Sequence, residues 1–302
     1  MRELKIKNLP WISIINPTRQ DQKELKERFP QIHNLILEEI IKPTIRTRVE
    51  NFGESLFMIL HFPSFIEKQG RTVSSEVDFI LLPDALITVQ YDNNKLLEDF
   101  WHQNKDDFIE DQYGHSPIHF LYYLLRGYFS FLTKELDQIQ LKMDKLEDQA
   151  FSSQEKESLK KISSLRKSVL DFRKAIKPQH LTLESLIKQG SEFYGKKVSP
   201  LLTELLGEYT RVWSHLENHK EVLDALYDTH FSLVTIRTNE AVRSLTLLAL
   251  MTFIPMTIAG IFGINALDTP LVRQTNGFWL VIVFMIMVMT LSYLVLKWRK
   301  II

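Results

Sequence analysis

The 302-residue sequence predicts an N-terminal α/β domain, then a set of long helices, and last a pair of membrane-spanning helices. Three observations lead there. Short runs of β-branched and aromatic residues alternate with helical patterns up to about Asp111. From Pro117 onward apolar residues recur at helical spacing with few breakers. Beyond Arg243 charge almost disappears, returning only at Asp268 and Arg273 before Lys297.

In the first region WISIIN, SLFMILHF, VDFILL and ALITVQY read as strands. Residues 19–29 and 33–41 read as helices, the first starting at Pro17-Thr18 and the second stopping at Pro43. In the second region a helix is expected over residues 117–151. It carries Leu121, Leu124, Leu125, Tyr128, Leu132, Leu136, Ile139 and Met143 on one stripe. Another is expected over residues 153–189, kinked or broken at Pro178. Gly190 and Gly195 flank the next turn. A third helix starts near Pro200 and meets no strong breaker before Pro255, so it runs directly into the first apolar segment. At about 1.5 Å per residue it would approach 90 Å, and a lone helix of that length needs partners to cover its apolar side.

In the third region the uncharged runs 244–267 and 274–296 each exceed the roughly 20 residues that cross a bilayer. Two such runs in tandem argue against buried helices of a soluble core. Trp279, Tyr293 and Trp298 sit where aromatic anchors sit at a membrane interface. Arg237 and Arg243 precede the first span and Lys297, Arg299 and Lys300 follow the second, which puts both ends in the cytoplasm. Pro255 interrupts the first span, with Thr252 and Thr257 as candidates to restore the missing backbone partner. Ala259, Gly260 and Gly263 permit close helix contact.

Composition excludes several classes of function. Lys plus Arg and Asp plus Glu both number 37, so no basic face is implied and no nucleic-acid partner is expected. The absence of cysteine removes disulfides, thiolate metal ligands and thiol nucleophiles. The first residues form neither a signal nor a transit peptide, so the large N-terminal part is expected to stay in the cytosol. With no Gly-rich phosphate loop, HExxH or nucleophile elbow, an enzyme is not expected, nor is any cofactor.

Two spans cannot enclose a water-filled path, so a conducting protein of this kind must be an oligomer lining its pore with one helix per copy. The first span carries the polar stripe. Asn239, Thr246, Phe253, Thr257 and Gly260 share a face, with Val242, Ala249 and Gly263 on its margin. Neutral amide, hydroxyl and carbonyl oxygens suit a cation that keeps its water shell, as magnesium does. An inside-negative potential would drive a divalent ion inward by about 4–5 kcal/mol per 100 mV.

The segment TNEAVRSLTLLALMTFIPMTIAGIFGIN (238–265) resembles the pore helix of the CorA family of magnesium and cobalt transporters, whose hallmark is Gly-Met-Asn at the outer end of the first span. WISIINPT, LEEIIKPTIRTRVE, ALITVQY and LKMDKLEDQAF extend the resemblance over nearly the whole chain. It implies an α+β cytosolic domain of αβα layering, a long stalk helix with accompanying willow helices, a two-helix transmembrane hairpin, and a funnel-shaped homopentamer in the inner or plasma membrane. The partners implied are other copies of the chain, the lipid bilayer and divalent cations, with magnesium transported and also sensed at the cytosolic domains.

The resulting division is 1–115 for the cytosolic domain, 116–243 for the long helices and 244–302 for the membrane part, with spans near 245–264 and 276–296. Gly263, Ile264 and Asn265 take the hallmark positions, with isoleucine in place of methionine, a variant that also resembles the ZntB branch linked to zinc. Magnesium uptake, with cobalt or nickel as further cargo, is the expectation, and zinc transport the alternative. The pore-facing hydroxyl position falls on Met256 or Thr257. Asp268 is the lone carboxylate of the outer loop, and Glu204 is the candidate for a regulatory metal site on the stalk.

Other signals are weaker. His215 and His219 stand four apart on a helix, as a metal pair would, but a polar helix face explains them. His115 and His119 share that spacing, with Pro117 between them. Asp144, Glu147, Asp148, Glu155 and Glu157, mixed with lysines, read as a solvated helical tip.

Overall fold

The structure, a computed structural model, describes residues 1–6, 9–66, 71–92, 94–105, 116–148, 155–264 and 276–298. The chain forms two compact units, Met1–His230 and Phe231–Ile302.

The first unit is built on a six-stranded sheet of β1 (Arg2–Ile6), β2 (Leu9–Ile15), β3 (Arg48–Asn51), β4 (Leu56–Ile66), β5 (Arg71–Leu81) and β6 (Leu86–Gln90). The strand order is β1-β2-β6-β5-β4-β3. Among the described residues only β2 and β6 pair in parallel, with Trp11 opposite Leu86 and Ile15 opposite Gln90. Because side chains alternate across the pleat, the central strands are apolar on both faces. Ile12, Ile14, Phe57, Ile59, Ile80 and Ile87 face α1 (Arg19–Arg28) and α2 (Asn34–Glu39). Trp11, Met58, Leu60, Phe79 and Leu86 face the helical layer on the other side. This is the αβα layering that the resemblance implied.

The helical layer comprises α3 (Lys95–Lys105), α4 (Pro117–Asp148), α5 (Glu155–Ile176), α6 (Gln179–Tyr194) and the first half of α7 (Ser199–Phe262). Leu121, Tyr128, Leu132, Leu136 and Met143 of α4 are buried with Leu202, Leu205, Val212, Leu216 and Leu223 of α7. Each set keeps helical spacing, so each helix buries one stripe. The expected break at Pro178 separates α5 from α6, and Gly195, at φ 92°, ends α6 in a conformation that suits glycine.

The entry to α1 follows its residues. Thr18 is the N-cap, its Oγ1 accepts from Asp21 N at 3.3 Å, and Asp21 Oδ2 accepts from Thr18 N at 2.9 Å. This reciprocal capping box satisfies two donors that the helix start leaves open. Three elements go beyond the sequence expectation: β1, β3 and α3. The two strands are short, lie at the sheet edges and carry charge, as edge strands do.

The second unit holds the rest of α7 and α8 (Gly277–Trp298). The helix that contains the first apolar run and α8 are both long and apolar enough to cross a membrane.

Candidate functional site

In the second unit α7 packs one stripe against α8. Leu247, Leu250, Ile254, Pro255, Ile258 and Phe262 are the covered positions of α7, and those of α8 include Ile282, Met285, Met289, Ser292 and Leu296. An apolar groove between the helices is lined by Leu247, Leu250, Met251 and Ile254 on one side and by Met289, Ser292, Tyr293 and Leu296 on the other. At about 100° per residue the covered stripe of α7 spans roughly 140°, about two-fifths of the helix circumference.

The polar stripe lies well away from it. Asn239, Val242, Thr246, Ala249, Phe253 and Gly260 are all exposed, on a face centred roughly 130° from the one that meets α8. Met256 and Thr257, the two options for the pore-facing hydroxyl position, fall on opposite margins of this face, and both are exposed. Gly263 and Ile264 follow the last turn. Asn265 and Asp268 lie outside the described residues.

The threonines are oriented by their own helix. Thr246 Oγ1 donates to Val242 O at 2.9 Å and Thr257 Oγ1 donates to Phe253 O at 2.8 Å. A hydroxyl has one proton and two lone pairs. With the proton committed to the backbone, each oxygen offers only acceptor capacity to whatever meets this face. Thr252 Oγ1 donates to Leu248 O and Ala249 O, each at 3.0 Å.

Thr252 and Thr257 therefore do not repair the gap at Pro255, contrary to the sequence expectation. A helical threonine reaches the carbonyl three or four residues before it. The carbonyl that Pro255 leaves without a donor is that of Met251, which neither threonine can reach.

Gly263 closes the helix tightly. Its N–H donates to Ala259 O at 2.8 Å, and a Cβ added at Gly263 would stand 2.9 Å from that same oxygen. Any side chain there must push the last turn apart. Gly260 differs, since a Cβ there would meet nothing within 4 Å. On the exposed stripe its lack of a side chain leaves backbone oxygen open to approach.

Among the described residues no three His, Asp or Glu side chains converge as metal ligands. Glu204 is exposed on α7, and its neighbour Tyr122 has its phenol pushed up to about 12, by burial first and then by hydrogen bonding to Glu204.

The histidine pair on α7 separates. His215 is exposed, whereas His219 is buried with Nε2 at 2.9 Å from Leu136 O. The carbonyl only accepts, so Nε2 carries the hydrogen and His219 ties α7 to α4. The surface reading holds for His215 and fails for His219, because the apolar stripe of α7 turns through position 219. His119 Nδ1 lies 2.7 Å from Ser116 Oγ, and His115 is outside the described residues. Asp144, Glu147, Asp148 and Glu157 are exposed, with Glu157 paired to Lys161 at 2.8 Å.

A buried carboxyl pair, Glu76 and Asp78, escaped the sequence reading. The signal was available in strand parity: residues 76, 78, 80 and 82 share one face of β5 and its continuation, and Ile80 and Leu82 make that face apolar.

Comparison with known proteins sets these features in a family. The cobalt/magnesium transport protein CorA of Thermotoga maritima is 25% identical over 294 residues, covering 96% of this chain and 82% of that protein. The complete structure of the CorA magnesium transporter from Methanocaldococcus jannaschii superposes with a TM-score of 0.82 at 21% identity, covering 98% of this chain and 93% of that one. The ZntB cytoplasmic domain from Vibrio parahaemolyticus is more distant, at a TM-score of 0.55 and 13% identity over 78% of this chain and 89% of that one. The profile of the CorA-like Mg2+ transporter proteins matches residues 7–298, nearly the full length, and the chain belongs to that family.

Proposed function

We propose that several copies of this chain, five by the family's pattern, surround a pore with the polar stripe of α7 and admit magnesium, with cobalt and nickel as further cargo. Both chain ends then lie in the cytoplasm, a reading that the flanking cations support. The observation that carries this reading is the pair of threonine oxygens, Thr246 and Thr257, left with acceptor capacity alone on an exposed, uncharged membrane-helix face.

The chemistry follows from magnesium's reluctance to shed water. Waters bound to a dication direct their hydrogens outward, so the pore wall must accept hydrogen bonds. Thr246 and Thr257 do so because their protons are held by the backbone. The backbone at Gly260 and the Asn239 amide oxygen add neutral acceptors. The Gly263-Ile264-Asn265 motif supplies the outer constriction, where each copy contributes one amide. Neutral oxygens that touch the water shell rather than the ion bind it weakly enough for it to move on. The membrane potential supplies about 4–5 kcal/mol per 100 mV for two charges. Glu204 is the site at which cytoplasmic magnesium would be sensed, together with groups from a neighbouring copy.

Zinc favours imidazole nitrogen and thiolate sulfur, and the stripe offers neither. Flux into proteoliposomes loaded with magnesium- or zinc-sensitive dyes tests the assignment. Magnesium entry that follows the membrane potential and is lost in Asn265→Ala is the expected result. Zinc entry coupled to a proton gradient, without magnesium flux, would replace this reading with that of a zinc transporter.

A further inference from the structure

At the C-terminal end of α2, on the α1/α2 face of the sheet, several ionisable groups meet beside a cavity of about 380 Å³. Its lining includes Thr44, His61, Glu76, Tyr91, Asp92 and Lys174. Glu76 and Asp78, two apart on β5, are 5% and 1% exposed. Glu76 Oε2 accepts from Thr44 N at 2.6 Å and stands 3.4 Å from His61 Nε2. His61 Nε2 also lies 3.0 Å from Thr44 O and must donate to it. Asp78 Oδ2 accepts from the Tyr91 hydroxyl at 2.7 Å, and that hydroxyl lies 3.1 Å from Ile40 O.

One oxygen on each carboxyl remains. Glu76 Oε1 and Asp78 Oδ1 are buried with no hydrogen-bond partner. Two bare carboxylates, side by side and out of water, would repel strongly, and each orphan acceptor carries a desolvation cost. A single proton resolves both. On Asp78 Oδ1 it makes that oxygen a donor to the adjacent Glu76, and the pair then bears one negative charge instead of two.

We infer that this proton is a latch. While it is held, Glu76 stays in place as the acceptor for Thr44 N and fastens residues 43–47 to the sheet. When it leaves, the Glu76 carboxylate turns into the adjoining cavity, where water solvates it, and the segment comes free. Burial, first, and then the charge of Glu76 push the Asp78 carboxyl far above the usual carboxylate range, against the pull of the Tyr91 hydrogen bond. The other charges nearby do not supply a substitute. Glu39 is paired with Arg48, Asp92 is exposed, and Lys174 reaches Asp171 at 3.0 Å.

Hydrogen–deuterium exchange of the full-length chain in lipid nanodiscs, corrected for the intrinsic pH dependence of exchange, reads the latch directly. Protection of the Thr44–Thr47 amides is expected to fall about tenfold per pH unit above the midpoint, as one linked proton requires. Asp78→Asn keeps a donor towards Glu76 and an acceptor for Tyr91, so its segment stays protected at every pH. Unchanged protection of α4 shows that the variant is folded. Tyr91→Phe removes the hydrogen bond that favours the charged carboxylate, so release moves to higher pH. A pH-independent wild type, a fall in Asp78→Asn that matches the wild type, or no shift in Tyr91→Phe would overturn the latch. Metal flux does not enter these readouts, so the transport proposal and the latch can fail separately.

Discussion

The two halves of α7 obey opposite rules. In the N-terminal unit Leu202, Leu205, Tyr209, Val212, Leu216 and Leu223 are buried at helical spacing, while the remaining faces are polar. In the second unit Leu245, Leu248, Met251, Phe253, Met256 and Ile261 are all more than 45% exposed. One chain in water cannot sustain both patterns, since apolar patches of that extent mark contact with other apolar matter. The first half finds its cover within its own unit. The second half finds no such cover in its own unit, and its uncharged polar stripe, which fits neither lipid nor core, is what the proposed assembly of several copies would bring together.

Four experiments would break or sharpen that contrast. The largest effect belongs to Gly263→Ala, because the new Cβ collides with the Ala259 carbonyl at 2.9 Å and displaces the turn that ends the helix. Magnesium flux in proteoliposomes should fall to background while the N-terminal unit melts unchanged. Next, Leu216→Ala should destabilise the N-terminal unit by about 2–5 kcal/mol, as a buried leucine deletion does. Leu248→Ala, made on the exposed half of the same helix, should leave that unit's melting in detergent where it was. Equal shifts would show that the two halves are covered alike.

Thr257→Val or Thr246→Val should reduce flux several-fold, about 1 kcal/mol each, the size of one hydrogen bond. Thr290→Val on α8, where the hydroxyl likewise donates to its own backbone, should do nothing. The smallest effect concerns pH. Burial holds the His219 imidazole below its usual 6.5, so its contribution to stability is complete above that value and is lost as pH falls below it. Chemical denaturation at pH 7.5 and 5.5 measures the loss, and His219→Phe should lessen it.

Much of the fold was legible because its signals are repeated many times over. The membrane helices announce themselves through more than twenty uncharged residues each, and α4 through eight apolar residues on one stripe. The edge strands β1 and β3 were not legible, because RELKI and RVEN are short and charged and derive their strand form from neighbours far along the chain. In the site, the face shared by Asn239, Thr246, Phe253 and Gly260 follows from helical periodicity alone. Hydroxyl direction does not, and neither does the burial of His219, which depends on what packs against α7, whereas the buried face of Glu76 and Asp78 could be read from strand parity with Ile80 and Leu82.

The stripe's exposure to water in the assembled protein is the point on which the rest turns. The chain has no cysteine, so single replacements give an unambiguous probe. Thr246→Cys, Phe253→Cys and Thr257→Cys, with Val283→Cys and Leu291→Cys on α8 for contrast, can be reconstituted in lipid and exposed to a charged, membrane-impermeant thiol reagent. The account predicts that the α7 cysteines react and that labelling blocks magnesium flux, while the α8 cysteines stay unlabelled. Unreactive α7 cysteines, or α8 cysteines that label as fast, would contradict it.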